Sequence, residues 1–127
     1  MSKLDRNDEN TTIYELKELV RKFCEERDWD QFHNPKDLAI GISTEANELL
    51  QIFRFKKEED IKNMLSNPKK RECIGEEIAD VFYFVLRFAQ MNNFDLSKEI
   101  NDKLIKNGKN YPIEKSKGSN KKYNEYD

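Results

Sequence analysis

The chain has 127 residues, of which 38% are charged and 36% hydrophobic, and its formal net charge is −2 at pH 7. This length suits one domain with a hydrophobic core, and the charge balance lacks the basic footprint of a nucleic-acid-binding protein. Four glycines and three prolines are too few for the turns of a many-stranded β fold. The composition therefore indicates a small helical protein with a heavily solvated surface.

The N-terminal residues 1–11 are polar and lack helical periodicity, so we expect a loose arm and not a signal peptide. No apolar run approaches the ~18 residues that are needed to span a bilayer. Cys24 and Cys73 lack metal-ligand spacing and are expected to be buried, reduced thiols. Together these features predict a cytoplasmic protein with neither a membrane nor a nucleic-acid partner.

The first predicted helix is followed by an aromatic loop. Thr12 and Glu15 form a capping box, which predicts where the helix begins. Residues 27–35 then hold the chain's only tryptophan, Trp29, and its only histidine, His33. This loop is either a hydrophobic plug beneath the next helix or a stacking platform for a heterocyclic base. The residues alone leave both interpretations open.

Two long helices are predicted in the middle of the chain, from Pro35 to about Phe55 and from Pro68 to about Met91, with a short helix between them. Residues 78–89 of the later helix are apolar around nearly the whole circumference. A helix of this kind is buried on every side, which one small helical layer cannot achieve. We therefore predict that this helix is also an oligomer interface.

A fourth helix is predicted from Leu96 to about Lys106, with Asn107-Gly108 as its stop signal. The helices together predict an all-α fold, an antiparallel bundle of about four main helices that is completed by oligomerisation. The helical domain is expected to span residues 12–112.

Each of the two long helices carries a pair of carboxylates three residues apart: Glu45 and Glu48 in the first, Glu77 and Asp80 in the second. Positions i and i+3 lie on one helix face, about 5–6 Å apart at Cβ, so two packed helices can bring four carboxylates together. Oxygen ligands alone suit Mg²⁺, Ca²⁺ or Mn²⁺, whereas a di-iron bundle site expects Glu-x-x-His pairs. On spacing alone, chance surface carboxylates explain the pairs equally well.

The order of these features resembles the MazG-type all-α nucleotide pyrophosphohydrolases, whose signature is Glu-x-x-Glu, a spacer and then Glu-x-x-Asp. Within that superfamily the chain is most similar to the dCTP pyrophosphatases, because residues 26–35, ERDWDQFHNP, resemble the ERDW-x-QFH-x-P segment of that family. Further matching stretches follow in the same order: residues 76–80, Asn107 with Tyr111-Pro112, residues 117–119 and residues 122–123. The resemblance covers about residues 12–125.

The resemblance implies hydrolysis of dCTP, or of a modified dCTP, to the monophosphate and pyrophosphate, which would remove unwanted nucleotides from the pool. The four acidic residues would hold Mg²⁺, with Mn²⁺ as a substitute, and one of them would orient or deprotonate the attacking water. The resemblance also implies a set of nucleotide-binding residues, namely Trp29, His33, Phe55, Tyr83, Phe84, Lys103, Asn107 and Tyr111. It further implies a homotetramer in which residues 113–127 dock on a neighbouring subunit, although their composition alone favours disorder.

Some positions depart from the family pattern. Phe55 stands where the family often has Trp, Phe84 where it often has Tyr, Gln51 where it tends to have a third acid, and Val20 where it has His. Base specificity rests on a few polar contacts, so dUTP or a broad set of nucleoside triphosphates stays an alternative substrate class. A non-catalytic helical interaction module stays an alternative function, and Lys103 also fits an exposed helix lysine.

Overall fold

A computed structural model describes residues 5–127, and within this range the chain is helical, without a β-strand. The helices are α1 (Ile13–Glu25), α2 (Pro35–Phe53), α3 (Glu58–Ser66), α4 (Pro68–Met91), α5 (Leu96–Asn110) and α6 (Ile113–Ser116). Short 3-10 turns lie at Asp30–Phe32 and Tyr123–Glu125. The all-α prediction is confirmed. Of the predicted N-terminal arm, residues 1–4 lie outside the described part.

Side chains just before the helices set where the longer ones begin. Thr12, Asn34, Asn67 and Asp95 each accept a backbone N–H of the following first turn at 2.8–3.1 Å. A cap of this kind stabilises a helix by roughly 1 kcal/mol. The predicted starts of α1, α2 and α4 are therefore confirmed, because they depend on contacts within a few residues.

The chain divides into two compact units, of which the first ends at Asn93 and the second is Phe94–Asp127. In the first unit α4 is the central helix, because it packs against α1, α2 and α3 and most extensively against α2. The buried apolar residues of this unit are Cys24, Leu38, Ile74, Leu86 and Ala89. No helix of the described chain combines the length and the apolar character that a membrane span requires.

The close approach of α2 and α4 depends on Gly41. A Cβ atom at this position would lie only 2.5 Å from the Phe84 ring, nearer than the Cβ atoms of real residues come to other atoms. The ring therefore occupies the space that any other residue at position 41 would fill, and the backbone of α2 lies directly against it. The glycine places the acidic segment that follows it on α2 beside α4.

Two predicted helix ends were wrong. Helix α2 ends at Phe53, because Arg54 takes an extended ψ of 131° and Phe55 a left-handed φ of 63°. Helix α5 continues past the predicted stop at Asn107-Gly108 to Asn110. Positive φ among the described glycines occurs only at Gly118, so Gly108 stays helical. The helix ends where Pro112 excludes the helical conformation from the residue before it.

The prediction that both cysteines are buried holds for Cys24 and is wrong for Cys73, which is exposed. Adjacent residues of a helix differ in direction by about 100°. Ile74 is buried, and Cys73 beside it therefore faces away from the core of the first unit.

The second unit consists of α5, α6 and the segment after them. Tyr111 lies edge-on to Tyr123, with ring centroids 5.8 Å apart, and edge-on to Tyr126 at 6.0 Å. The Ser116 hydroxyl donates to backbone carbonyls of Tyr111 and Pro112 at 3.1 and 2.7 Å. The tyrosine-rich segment after α5 thus makes contacts within its own unit.

Candidate metal and nucleotide site

Three of the four predicted acidic residues converge between α2 and α4. Carboxylate oxygens of Glu45, Glu77 and Asp80 lie within 4.8 Å of one another. Glu77 and Asp80 are one helical turn apart on α4, and Glu45 faces them from α2. Glu45 and Glu77 are half-buried and Asp80 is exposed. These three residues form the acidic trio.

The donor set of the acidic trio fits a hard divalent cation, because it consists of carboxylate oxygens without imidazole or thiolate. Oxygens on opposite sides of an ion are about 4.2 Å apart for Mg²⁺ and about 5 Å apart for Ca²⁺. A spread within 4.8 Å therefore suits either ion after small side-chain movements.

Glu48 lies one turn after Glu45 on α2, outside the acidic trio, and is exposed. Its charge nevertheless acts on the same place. Partial burial raises the pKa of Glu77 above its ordinary value, and the negative charges of Asp80, Glu45 and Glu48 raise it further. Mutual repulsion of this kind is relieved by a proton or by a cation.

The aromatic loop has features of both predicted roles. The Trp29 indole packs edge-on against Phe23 of α1, with ring centroids 5.8 Å apart, and edge-on against His33 at 6.2 Å. Its backbone N–H donates to the Cys24 carbonyl at 3.0 Å. Trp29 still exposes 38% of its surface. The loop is therefore packed onto α1 and also presents an aromatic surface to solvent.

Arg87 of α4 is 1% exposed and was not among the residues predicted from the sequence. Its Nε donates to His33 Nδ1 at 2.9 Å, its Nη1 donates to Gln90 Oε1 at 2.7 Å, and its Nη2 pairs with the Asp30 carboxylate. A lone arginine within the apolar run 81–89 is the signal that could have indicated it. A buried cation requires partners, and the aromatic loop supplies the Asp30 carboxylate and the His33 imidazole.

Tyr83 and Phe84 lie inside the first unit. The Tyr83 hydroxyl shares a hydrogen bond of 3.1 Å with the Cys24 thiol, and burial raises the pKa of Tyr83 well above its ordinary value, with this hydrogen bond as the next cause. Phe84 lies edge-on to Tyr83 at 5.1 Å, with its own ring against Gly41. The Tyr83 hydroxyl is therefore engaged with α1.

Phe55 is exposed just after α2, and the Arg54 guanidinium lies 4.6 Å from its ring centroid. In the second unit, Lys103 is exposed on α5, and Asn107 is half-buried one turn later. The Asn107 carbonyl accepts the Tyr111 N–H at 2.7 Å. Lys103 and Asn107 are four residues apart, so one face of α5 presents both side chains.

Comparisons with known proteins identify relatives of this chain. The chain is 32% identical over 112 residues to dCTP pyrophosphatase 1 of Rattus norvegicus, a match that covers 88% of this chain and 66% of that protein. It is 30% identical over 114 residues to dCTP pyrophosphatase 1 of Homo sapiens, covering 90% of this chain and 67% of that protein. The chain thus spans about two thirds of the length of these relatives.

A solved structure of a pyrophosphatase from Archaeoglobus fulgidus superposes with a TM-score of 0.73 at 30% identity, covering 85% of this chain and 99% of that chain. The family model described as the MazG-like family matches residues 40–126. This range contains the acidic trio and Glu48, and it begins after the aromatic loop. The resemblance inferred from the acidic pairs is confirmed: the chain belongs to the MazG-like family.

Proposed function

We propose that this protein is a metal-dependent nucleotide pyrophosphohydrolase that converts dCTP, or a modified dCTP, and water into the nucleoside monophosphate and pyrophosphate. The observation that carries the proposal is the convergence of the acidic trio across α2 and α4. Two findings support the proposal. The chain belongs to the MazG-like family, and proteins similar to it are named dCTP pyrophosphatase 1 and pyrophosphatase.

Glu45, Glu77 and Asp80 would hold the divalent cation, Mg²⁺ or in its place Mn²⁺, with Glu48 as a further ligand. When bound, the cation supplies positive charge against the triphosphate and lowers the pKa of a bound water. One carboxylate of the group accepts a proton from the attacking water or orients it. The water oxygen would form a bond to the phosphorus that loses the bridging oxygen between the α- and β-phosphates, and the electron pair of the broken P–O bond would stay on that bridging oxygen, so that the monophosphate and pyrophosphate separate.

The remaining residues would bind the nucleotide. Trp29 offers an exposed indole for stacking, with His33 beside it and Phe55 as a second exposed ring. Tyr83 and Phe84 would shape the base side of the site from within α4. By family resemblance, Lys103, Asn107 and Tyr111 are proposed to bind the phosphates and the sugar, with Lys103 acting as a point charge.

A broader substrate range has its own support. Phe84 lacks the hydroxyl that the family often has there, and the neighbouring Tyr83 hydroxyl is engaged with Cys24. A base-edge hydrogen bond at this place would therefore be missing, and discrimination between bases depends on such bonds. Hydrolysis of dUTP or of several nucleoside triphosphates is the alternative. A non-catalytic interaction module would instead leave the acidic trio without a role.

The decisive experiment measures pyrophosphate release from a panel of dCTP, 5-methyl-dCTP, dUTP, the other canonical dNTPs and CTP, each with Mg²⁺, with Mn²⁺ and with a chelator. We expect release that requires the cation and is fastest with dCTP or its modified form. Equal rates across the panel would select the broad alternative. Absence of pyrophosphate from every substrate with both cations would contradict the proposed activity.

We further propose that the protein is a homo-oligomer, a tetramer by family resemblance, with α4 at an interface and residues 113–127 docked on a neighbouring subunit. Ile78 and Phe82 support this, because these α4 residues, one turn apart, are 52% and 38% exposed in the single chain. Sedimentation at micromolar concentration is expected to give a multimer. Ile78→Glu should shift the sedimentation toward smaller species, and Arg71→Glu on α4 is the control. A stable wild-type monomer would contradict the interface.

A cytoplasmic location remains a prediction.

A further inference from the structure

We propose that Arg87 is a positioning residue that anchors the aromatic loop to α4 and thereby holds Trp29 in the orientation in which it meets the base. The link to substrate rests on the function proposed above. The anchoring itself is a property of the first unit and can be measured without substrate.

Arg87 is almost completely buried, and each of the nitrogen atoms of its guanidinium has a partner. Two partners, His33 Nδ1 and the Asp30 carboxylate, belong to the loop, and the third, Gln90 Oε1, belongs to the next turn of α4. The planar fork of an arginine can serve three acceptors in different directions, whereas a lysine ammonium is a compact point charge. The loop is therefore attached to α4 at both ends of its 3-10 turn.

The same contact determines the state of His33. Because Nδ1 accepts the Arg87 proton, a neutral His33 carries its own proton on Nε2. Burial lowers the pKa of His33, the Arg87 charge lowers it further, and Asp30 acts in the opposite direction. The imidazole is thus kept neutral with a fixed ring orientation, and Trp29 packs edge-on against that ring.

The energetics argue that this network has a role besides stability. A buried ion pair contributes little net stability relative to an apolar side chain of similar volume, but removal of one partner from a buried charge is costly. Asp30 exposes 49% of its side chain while Arg87 exposes 1%. If Arg87 is removed, water can therefore solvate the Asp30 carboxylate. If the Asp30 charge is removed, the buried Arg87 guanidinium is left without a counter-charge and out of reach of water. Arg87→Met is expected to be tolerated better than Asp30→Asn.

The experiment uses the intrinsic fluorescence of Trp29, the only tryptophan of the chain, without substrate. In Arg87→Met the loop loses its attachment, so we expect a red-shifted emission and stronger quenching by acrylamide with unchanged helical circular dichroism. Arg87→Lys keeps the charge but not the fork and should lie between Arg87→Met and wild type. Arg71→Met, which removes an exposed arginine of the same helix, is the matched control and should resemble wild type.

Kinetics with the best substrate of the panel then test the link to the base. For Arg87→Met we expect KM to rise about tenfold, the factor associated with one base–aromatic stacking contact, with kcat within about threefold of wild type. Unchanged quenching and unchanged KM would overturn the proposal, and so would a loss of kcat at constant KM. If Arg87→Met does not fold, the quenching of Arg87→Lys decides. If no substrate is hydrolysed, the proposed function fails while the fluorescence still decides the anchoring.

Discussion

Glu48→Gln and Asp80→Asn are each expected to lower turnover by more than about 100-fold while the helical circular dichroism stays unchanged. Changes to groups that merely support a metal ligand already cost about 10–100-fold, so loss of a charged ligand should cost more. An amide keeps the size of the side chain but withholds the negative charge that the cation needs. Glu72→Gln, which removes an exposed carboxylate of α4 that is not among the proposed metal ligands, is the control and should retain activity. Full turnover in both variants would refute the metal assignment.

In the cation-free protein, removal of a negative charge from this site is expected to raise the stability, although it abolishes activity. The pKa of Glu77 is raised from its ordinary value of 4.5, so the folded state holds this proton more tightly than the unfolded state. That contribution to stability is present at low pH and is lost as the pH rises through the raised pKa. At neutral pH the ionised Glu77 carboxylate therefore destabilises the cation-free chain.

Glu77→Gln should accordingly raise the melting temperature in a chelator and abolish activity. Addition of Mg²⁺ should raise the melting temperature of the wild type, because a ligand that binds only the folded state stabilises it, and should have little effect on Glu77→Gln. Thermal unfolding of both proteins in a chelator and in Mg²⁺ measures these shifts. A wild-type melting temperature that does not respond to Mg²⁺ would favour the interaction-module alternative.

Trp29→Ala is expected to raise the KM for dCTP by about tenfold or more, since stacking on an aromatic side chain contributes about 1–3 kcal/mol per base. The effect on kcat should be smaller, because stacking is made in the ground state and in the transition state alike. Trp29→Phe should recover part of the loss, as a smaller ring still stacks. Steady-state kinetics over a dCTP concentration series separates the two parameters.

Phe32→Ala is the matched control for this prediction. Phe32 lies in the same loop and is exposed, but it is not among the residues proposed to bind the nucleotide. Its removal should leave KM near that of the wild type. An equal rise in KM for both variants would assign the effect to the loop as a whole. An unchanged KM in Trp29→Ala would mean that the indole only packs against its neighbours and does not stack on the base.

The regular structure of this chain was predictable because its determinants are local. The caps at Thr12, Asn34 and Asp95 act on backbone groups three residues away. The predicted end of α5 was wrong because a local signal competed with a stronger one nearby. Gly108 is compatible with a helix as well as with a stop, and the helix ended only where Pro112 required it.

The sequence by itself determined the positions of the main helices, the two acidic pairs and the apolar character of α4, since each depends on residue type and spacing along one helix. Only the tertiary structure decided which side chains meet. The close approach of α2 to α4 at Gly41 brings Glu45 beside Glu77 and Asp80 and leaves Glu48 outside the trio. It also decided that Arg87 is buried against a loop 54 residues earlier in the chain, because burial depends on the partners that packing supplies and not on the residue's own polarity.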